Sequence, residues 1–242
     1  MKIAIGIAHG HSIKIDTMMS ILNMIFSTRT SAIRAARENR AVTARDQAFD
    51  QTHPTQVKVI PVGHVYVGEN RWHIATDALK WGADYLLFVD TDMEFPADAL
   101  IKMLALKKPI VGVHYSTKSQ DNPVSTVKML GDGPLGQLIV PQDGMPSEPF
   151  QAWGAGTGLL LIDTAVLRGT PQPWFGMTWG PDGKMEMGED TFFCYQAGRA
   201  GFETWVDPRI PIYHIGDWKY GKPGANLVTD IDHTQLTEPV SV

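Results

Sequence analysis

The segment Tyr85-Leu86-Leu87-Phe88-Val89-Asp90-Thr91-Asp92 constrains what this chain can fold into more than any other. A continuous apolar run leaves no polar face, so the strand it forms must be covered on both sides, as central strands of parallel sheets are. The run ends in Asp90 and Asp92, spaced i and i+2, which extended backbone projects to the same side. The carboxyl end of such a strand is also where open α/β sheets place their ligand crevice. Paired acids there suit a hard divalent cation shared with a phosphate-bearing ligand, which points to chemistry on a nucleotide diphosphate.

The rest of the first half alternates strand and helix signals. Ile3 to Ala8 predicts a first strand, and about Lys14 to Arg37 a helix, with Ile15, Met18, Met19, Leu22, Ile25 and Phe26 at helical spacing. Val57 to Val67 is β-branched and extended in character. Glu69 to Trp81 predicts a helix with Ile74, Ala78 and Leu79 inward, stopped by Gly82. Pro96 is expected to open a helix bearing Leu100, Ile101 and Leu104, and Pro109 to Tyr115 returns as a strand. This alternation predicts an α/β fold with an open mixed sheet, mostly parallel, and helices on both faces.

The second half has a different grammar. Gln120–Glu148 is rich in Gly, Pro and Asp, with strand-like pieces at Ser125–Leu130 and Gln137–Val140. Trp153-Gly154-Ala155-Gly156-Thr157-Gly158 feeds the apolar run Leu159–Ile162, and Pro171–Lys184 reads as a long loop whose Trp174, Phe175 and Trp179 suggest a functional lid. Gly188-Glu189-Asp190 opens a helix to about Ala200 with Phe192, Phe193, Tyr195 and Ala197 on it, and a later strand ends in Ile212-Tyr213-His214. The Gly-x-Gly-x-Gly run is not a dinucleotide loop, because that motif lies between a strand and a following helix, whereas here a strand follows.

Composition narrows the classes. At 242 residues and 43% hydrophobic content the chain can build one substantial core. Its one cysteine, Cys194, excludes an internal disulfide. The apolar start is too short for a signal peptide and no run is long enough to span a bilayer, so a cytoplasmic protein without membrane insertion is expected. A formal charge of −5 gives no global pull toward nucleic acid, although Arg29, Arg34, Arg37, Arg40 and Arg45 make a local basic cluster. Asp230-Ile231-Asp232-His233 has metal-like spacing but sits in a polar tail, where a solvated segment is expected.

Asp90-Thr91-Asp92 after its strand, Gly156-Thr157-Gly158 before a second, Trp174-Phe175, Gly188-Glu189-Asp190 and Tyr213-His214 occur in that order. Asn70-Arg71, Ala78-Leu79 and Gly82-Ala83-Asp84 precede the acidic motif. The set resembles GT-A fold glycosyltransferases, close to small family-two-like enzymes of bacteriophages, over residues 1–216. The resemblance implies a nucleotide-binding half (1–115), an acceptor-side half (116–216) and a C-terminal tail (217–242). The first strand departs from the family pattern, ending in His9 and His11 where a proline is usual.

The resemblance also implies roles. Asp92 would bind Mn2+ or Mg2+ directly, Asp90 would contact the ribose or the ion, and His214 would be the third metal ligand. Ala8, His9, Arg71, Thr91, Gly156, Thr157, Gly158 and Trp174 would line the donor site. Asp190 would be the general base, with Glu189 holding the acceptor or orienting the loop. The implied reaction moves a hexose from a nucleotide diphosphate sugar, UDP-sugar foremost, to a hydroxyl of a glycan, a protein or a hydroxymethylated DNA base. One base and no evident nucleophile suggest inversion at the anomeric carbon. Each acid also has a plainer reading as a turn or helix-capping residue, and Trp153, Trp174 and Trp179 are as readily packing residues as sugar platforms. Alternatives are a non-catalytic sugar-nucleotide or carbohydrate-binding module and a sugar nucleotidyltransferase. The latter's basic, glycine-rich start is absent from Gly6–His11. A haloacid-dehalogenase-type phosphatase fits poorly, because its acidic motif lies near the chain start.

Overall fold

β1 (Lys2–Ala8) pairs in parallel with β2 (Gln56–Val62) on one side. The computed structural model describes residues 1–10, 12–28, 55–63, 66–118, 124–130, 137–139, 145–216 and 219–221. His11, the five arginines of the basic cluster and the Asp230–His233 segment lie outside them. Between β1 and β2 comes α1 (Ile15–Thr28); then follow α2 (Val67–Trp81), β3 (Tyr85–Val89), β4 (Met93–Glu94), α3 (Ala99–Ala105) and β5 (Ile110–Val113). The second half contributes β6 (Lys128–Leu130), β7 (Gln137–Ile139), β8 (Phe150–Ala152), β9 (Leu159–Asp163), α4 (Thr164–Gly169), β10 (Thr178–Trp179) and β11 (Met185–Met187). It closes with α5 (Glu189–Arg199), β12 (Thr204–Asp207), β13 (Tyr213–Ile215) and β14 (Lys219–Gly221).

Among the described residues the main sheet has seven strands in the order β2-β1-β3-β9-β5-β12-β8. β3 runs parallel to β1, and β12 parallel to β5. β9 is antiparallel between β3 and β5, and β8 is an antiparallel edge on β12. The sheet is therefore mixed, with five of seven strands in one direction. The apolar run of β3 is central, as its lack of a polar face requires. Leu87 and Val89 join a core with Ile3, Ile5, Met24 of α1 and Leu100 and Leu104 of α3. Leu86 and Phe88 face the opposite core, with Ala78 of α2, Val166 of α4 and Phe193 of α5. Alternate side chains of one strand thus bind helices on both faces.

Close packing fixes some residue choices. A Cβ added to Gly6 of β1 would lie 2.3 Å from Ile74 Cγ2 of α2, so only glycine lets this helix settle on the strand. Gly6→Val is expected to cost about 1–3 kcal/mol through overpacking, read as a lowered midpoint in thermal unfolding. Gly82 ends α2 in the left-handed conformation (φ +73°), its N–H capping the last turn as expected from sequence.

Several expectations are corrected. β2 stops at Val62, and Val67 already belongs to α2. The helix after Pro96 starts only at Ala99, because Pro96 to Asp98 form a turn whose Pro96 carbonyl accepts from the Ala99 N–H. In α1, Ile21 and Met24 are buried, whereas Ile15 (68% exposed), Leu22 and Phe26 (70%) face outward. The segment read as one long loop contains β10, which forms a hairpin with β11. Its Trp174 and Phe175 are buried core residues and only Trp179 projects, so these aromatics do not form an exposed lid. Among the described residues no helix is long and apolar enough to cross a membrane.

Candidate active site

The acids stand at the carboxyl end of β3, as expected, and the chain then turns into β4. Here β4 pairs antiparallel with β13, setting Met93 opposite His214, and the Ile215 N–H donates to the Asp92 carbonyl at 2.7 Å. This small sheet, β14-β13-β4, carries His214 from the far end of the chain to Asp92. His214 Nε2 lies 3.3 Å from Asp92 Oδ1, while Nδ1 lies 3.1 Å from the Ser116 carbonyl oxygen. Both partners are acceptors; with the Ser116 carbonyl accepting from Nδ1–H, Nε2 would be the ring nitrogen offered to a cation, in place of its contact with Asp92. The Lys118 ammonium is paired with the other oxygen, Asp92 Oδ2. Burial pushes the Asp92 carboxyl up, but hydrogen bonds and charge from His214 and Lys118 outweigh it, and the net shift is downward.

Asp90 takes a different partner. Arg71 Nη2 donates to Asp90 Oδ1 at 2.9 Å, and Nη1 donates to Glu189 Oε1. Arg71 occupies a position on α2 in register with Ile74, Ala75 and Ala78, the helix's buried stripe, and its side chain is only 4% exposed. Burial opposes its charge, yet Asp90, Glu189 and Asp190 outweigh burial and raise its pKa. One guanidinium thereby ties the acidic motif after β3 to the first turn of α5.

Asp190 sits beside that bridge. Its Oδ1 accepts from the Thr191 N–H at 2.6 Å and from Thr191 Oγ1 at 3.2 Å. Burial, then the Glu189 charge, push its carboxyl up, with Arg71 and Thr191 opposing; the net shift is upward. The residue as a whole is half-buried. The position at a helix start alone favours the charged form, and here burial and Glu189 prevail over it.

The Gly156-Thr157-Gly158 run has a cause that sequence alone does not reveal. A Cβ on Gly156 would lie 2.4 Å from the Tyr115 hydroxyl, and one on Gly158 would lie 2.6 Å from it. The Gly158 N–H donates to that hydroxyl at 2.8 Å, and the Tyr115 ring meets His214 edge-on with centroids 5.6 Å apart. Tyr115 is buried; burial, then the charges of Asp90 and Asp190, hold its hydroxyl well above the usual tyrosine range, so it stays neutral. These glycines make room for Tyr115, and Thr157 between them is buried.

The remaining expected donor residues fall as follows. Continuing the β1–β3 register (Gly6 opposite Phe88) sets Ala8 level with Asp90. His9 lies beside it with its ring over Gly63, and its N–H donates to the Val62 carbonyl at 3.0 Å. The Thr91 carbonyl accepts from Lys14 N at 2.8 Å. Trp174 is not brought to the site: its ring belongs to the core under α5, and its indole N–H is spent on the Thr170 carbonyl at 3.0 Å. Cys194, one turn along α5 from Asp190, is buried, and burial pushes its thiol up to about 11, too high for a nucleophile at neutral pH. A cavity of about 450 Å³ lies further along α5, clear of the acids, lined by Gln151, Trp153, Tyr195, Arg199 and Glu203 among others. There the Trp153 and Tyr195 rings stand 5.9 Å apart at 31°.

The expected metal triad is only partly assembled. Asp92 and His214 converge, but Asp90 is committed to Arg71, and no group of three His, Cys, Asp or Glu side chains that could hold a metal is found among the described residues. A carboxylate oxygen and an imidazole nitrogen are donors that a Mg2+- or Mn2+-type ion accepts, so Asp92 and His214 would hold one side of such an ion.

No family model matches the chain, and no curated protein matches it in sequence. Among solved structures, A197 from STIV superposes with a TM-score of 0.57 at 15% identity, over 90% of this chain and 87% of that one. GalNAc-T7, in a crystal structure with UDP, GalNAc and Mn2+, aligns with a TM-score of 0.51 at 11% identity over 89% of this chain. The fold is GT-A-like. The match covers 44% of the GalNAc-T7 chain, so the present chain spans less than half of that neighbour's length. In GT-A-like terms the acids after β3, the β13 histidine and the α5 carboxylates share one end of the sheet.

Proposed function

We propose that this chain is a nucleotide-sugar-dependent glycosyltransferase that moves a hexose to an acceptor hydroxyl, with inversion. The observation that carries this is the Arg71 bridge, which holds the acidic motif and the helix bearing Asp190 together as one site. Asp92 and His214 would hold a divalent cation, whose contribution when bound is to neutralise the departing diphosphate. Asp190 would take the proton from the acceptor hydroxyl, and its raised pKa makes it a better base than an ordinary carboxylate. Glu189 shares its charge with Arg71 and orients the α5 start. Ala8 and His9, level with Asp90, would flank the nucleotide. The presence of UDP and Mn2+ in the GalNAc-T7 structure favours UDP and Mn2+ as the first donor nucleotide and ion to test.

Titration of UDP, GDP, ADP and dTDP into the protein by calorimetry tests this reading. One nucleotide is expected to bind in the presence of Mn2+ and to lose at least about tenfold in affinity on Asp92→Ala, the order of a lost charged contact. Binding of none, or affinity indifferent to both Mn2+ and Asp92, would overturn it.

A further inference from the structure

We propose that Lys118 acts as an exchangeable counter-ion, occupying Asp92 when the divalent cation is absent and moving onto the donor diphosphate when the cation binds. The inference rests on the assignment of Asp92 and His214 to the cation, and goes beyond it by giving a role to a residue that no motif marks. Three observations carry it. The Lys118 ammonium contacts Asp92 Oδ2, while His214 Nε2 stands at Oδ1, so the lysine competes for the carboxylate that would hold the ion. Its side chain is 35% exposed, so a flexible stem can swing away without disturbing the core. Ser116, two residues earlier, is buried and carries the carbonyl that orients His214, so the chain is anchored beside the site while the lysine is free to turn.

The exchange has a simple electrostatic logic. An ammonium and a divalent cation cannot share one carboxylate without strong repulsion. When the ion arrives with its diphosphate, the displaced ammonium finds new anionic oxygens close by, and charge at the site stays balanced. The lysine therefore weakens binding of the bare ion and strengthens binding of the ion with its nucleotide.

These opposite signs give the test. Mn2+ affinity without nucleotide is measured by the loss of the free-ion paramagnetic resonance signal, and UDP affinity at saturating Mn2+ by calorimetry. Both are measured on the full chain, on Lys118→Met and on Lys118→Arg. Lys118→Met is expected to bind Mn2+ about fivefold more tightly, since a part-exposed ion pair has been removed, and to bind UDP about fivefold more weakly. Lys118→Arg is expected to restore wild-type values in part. Unchanged or weaker Mn2+ binding in Lys118→Met, or unchanged UDP binding, would overturn the exchange while leaving the cation assignment intact. Failure of all three proteins to bind Mn2+ would overturn both together. A purely structural lysine would shift both affinities in the same direction, which also counts against the proposal.

Discussion

Asp190→Asn is expected to lower transfer from the nucleotide sugar by about 10²–10⁴-fold, the range of a lost general base. The isosteric amide keeps the acceptor for the Thr191 N–H and hydroxyl, so α5 should start unchanged. Stability should not fall at neutral pH. A carboxyl whose folded pKa is raised binds its proton more tightly when folded than when unfolded. Its stabilising effect is complete below the unfolded carboxylate pKa and is lost as pH rises through the folded one, so at neutral pH the charge is a burden the amide removes. The pH profile carries the same sign: wild-type activity should decline as pH falls through a value raised above that of an ordinary aspartate. That limb should vanish from the residual activity of Asp190→Asn. Rate measurements from acid to neutral pH with both proteins, beside thermal unfolding, decide the matter. An unchanged rate, or a retained acid limb in the variant, would remove Asp190 from the role of base.

Arg71→Met is expected to be the most damaging single change to both fold and site. Methionine fills the space in the α2 stripe but leaves Asp90 and Glu189 facing each other without a cation. Breaking a buried pair by removing one partner costs about 3–5 kcal/mol, and the lower end applies here because Asp90 is 30% exposed. For a chain of this size that corresponds to a fall of about 6–12 °C in the unfolding midpoint. Arg71→Lys should recover part of the stability but little of the activity, since one ammonium cannot reproduce the fork that reaches both acids at once. Thermal unfolding of the two variants, with nucleotide binding on the folded fraction, provides the check. Equal stability of Arg71→Met and wild type would mean the two acids are held by something else.

The comparison of sequence and structure follows a physical divide. β3, with its apolar run, and α2, with Ile74 and Ala78 inward and Gly82 behind, are determined by local pattern and were legible from it. So was the start of α5 at Glu189. In contrast, β8, α4, β10 and β12 are short and take their conformation from neighbours, leaving no period to read. In α1 the apolar residues outnumber what one face can bury, so the pattern did not say which of them, Ile21 and Met24, would be inside.

Within the site, the pairing of Asp92 with His214 depends on β4 and β13 meeting across more than a hundred residues. The ordered motifs suggested it without giving the route. The signal for Arg71 was present: an arginine in register with Ile74, Ala75 and Ala78 marks a buried charge that must have acids around it. Tyr115 and Lys118 had no such signal. Their roles arise from contacts with Gly156, Gly158 and Asp92 that only the folded chain creates. Trp174 illustrates the converse, an aromatic in a motif whose indole N–H is satisfied in the core.

Turnover tests the transferase reading at its centre. The full chain is incubated with Mn2+ and, in turn, UDP-glucose, UDP-galactose, UDP-N-acetylglucosamine and UDP-N-acetylgalactosamine, with glycan, protein and hydroxymethylated DNA acceptors, and released UDP is quantified. Mn2+-dependent release from one of these donors is expected, abolished in Asp92→Ala and reduced in Asp190→Asn. No release from any donor with any acceptor, or release that both substitutions leave untouched, would contradict it.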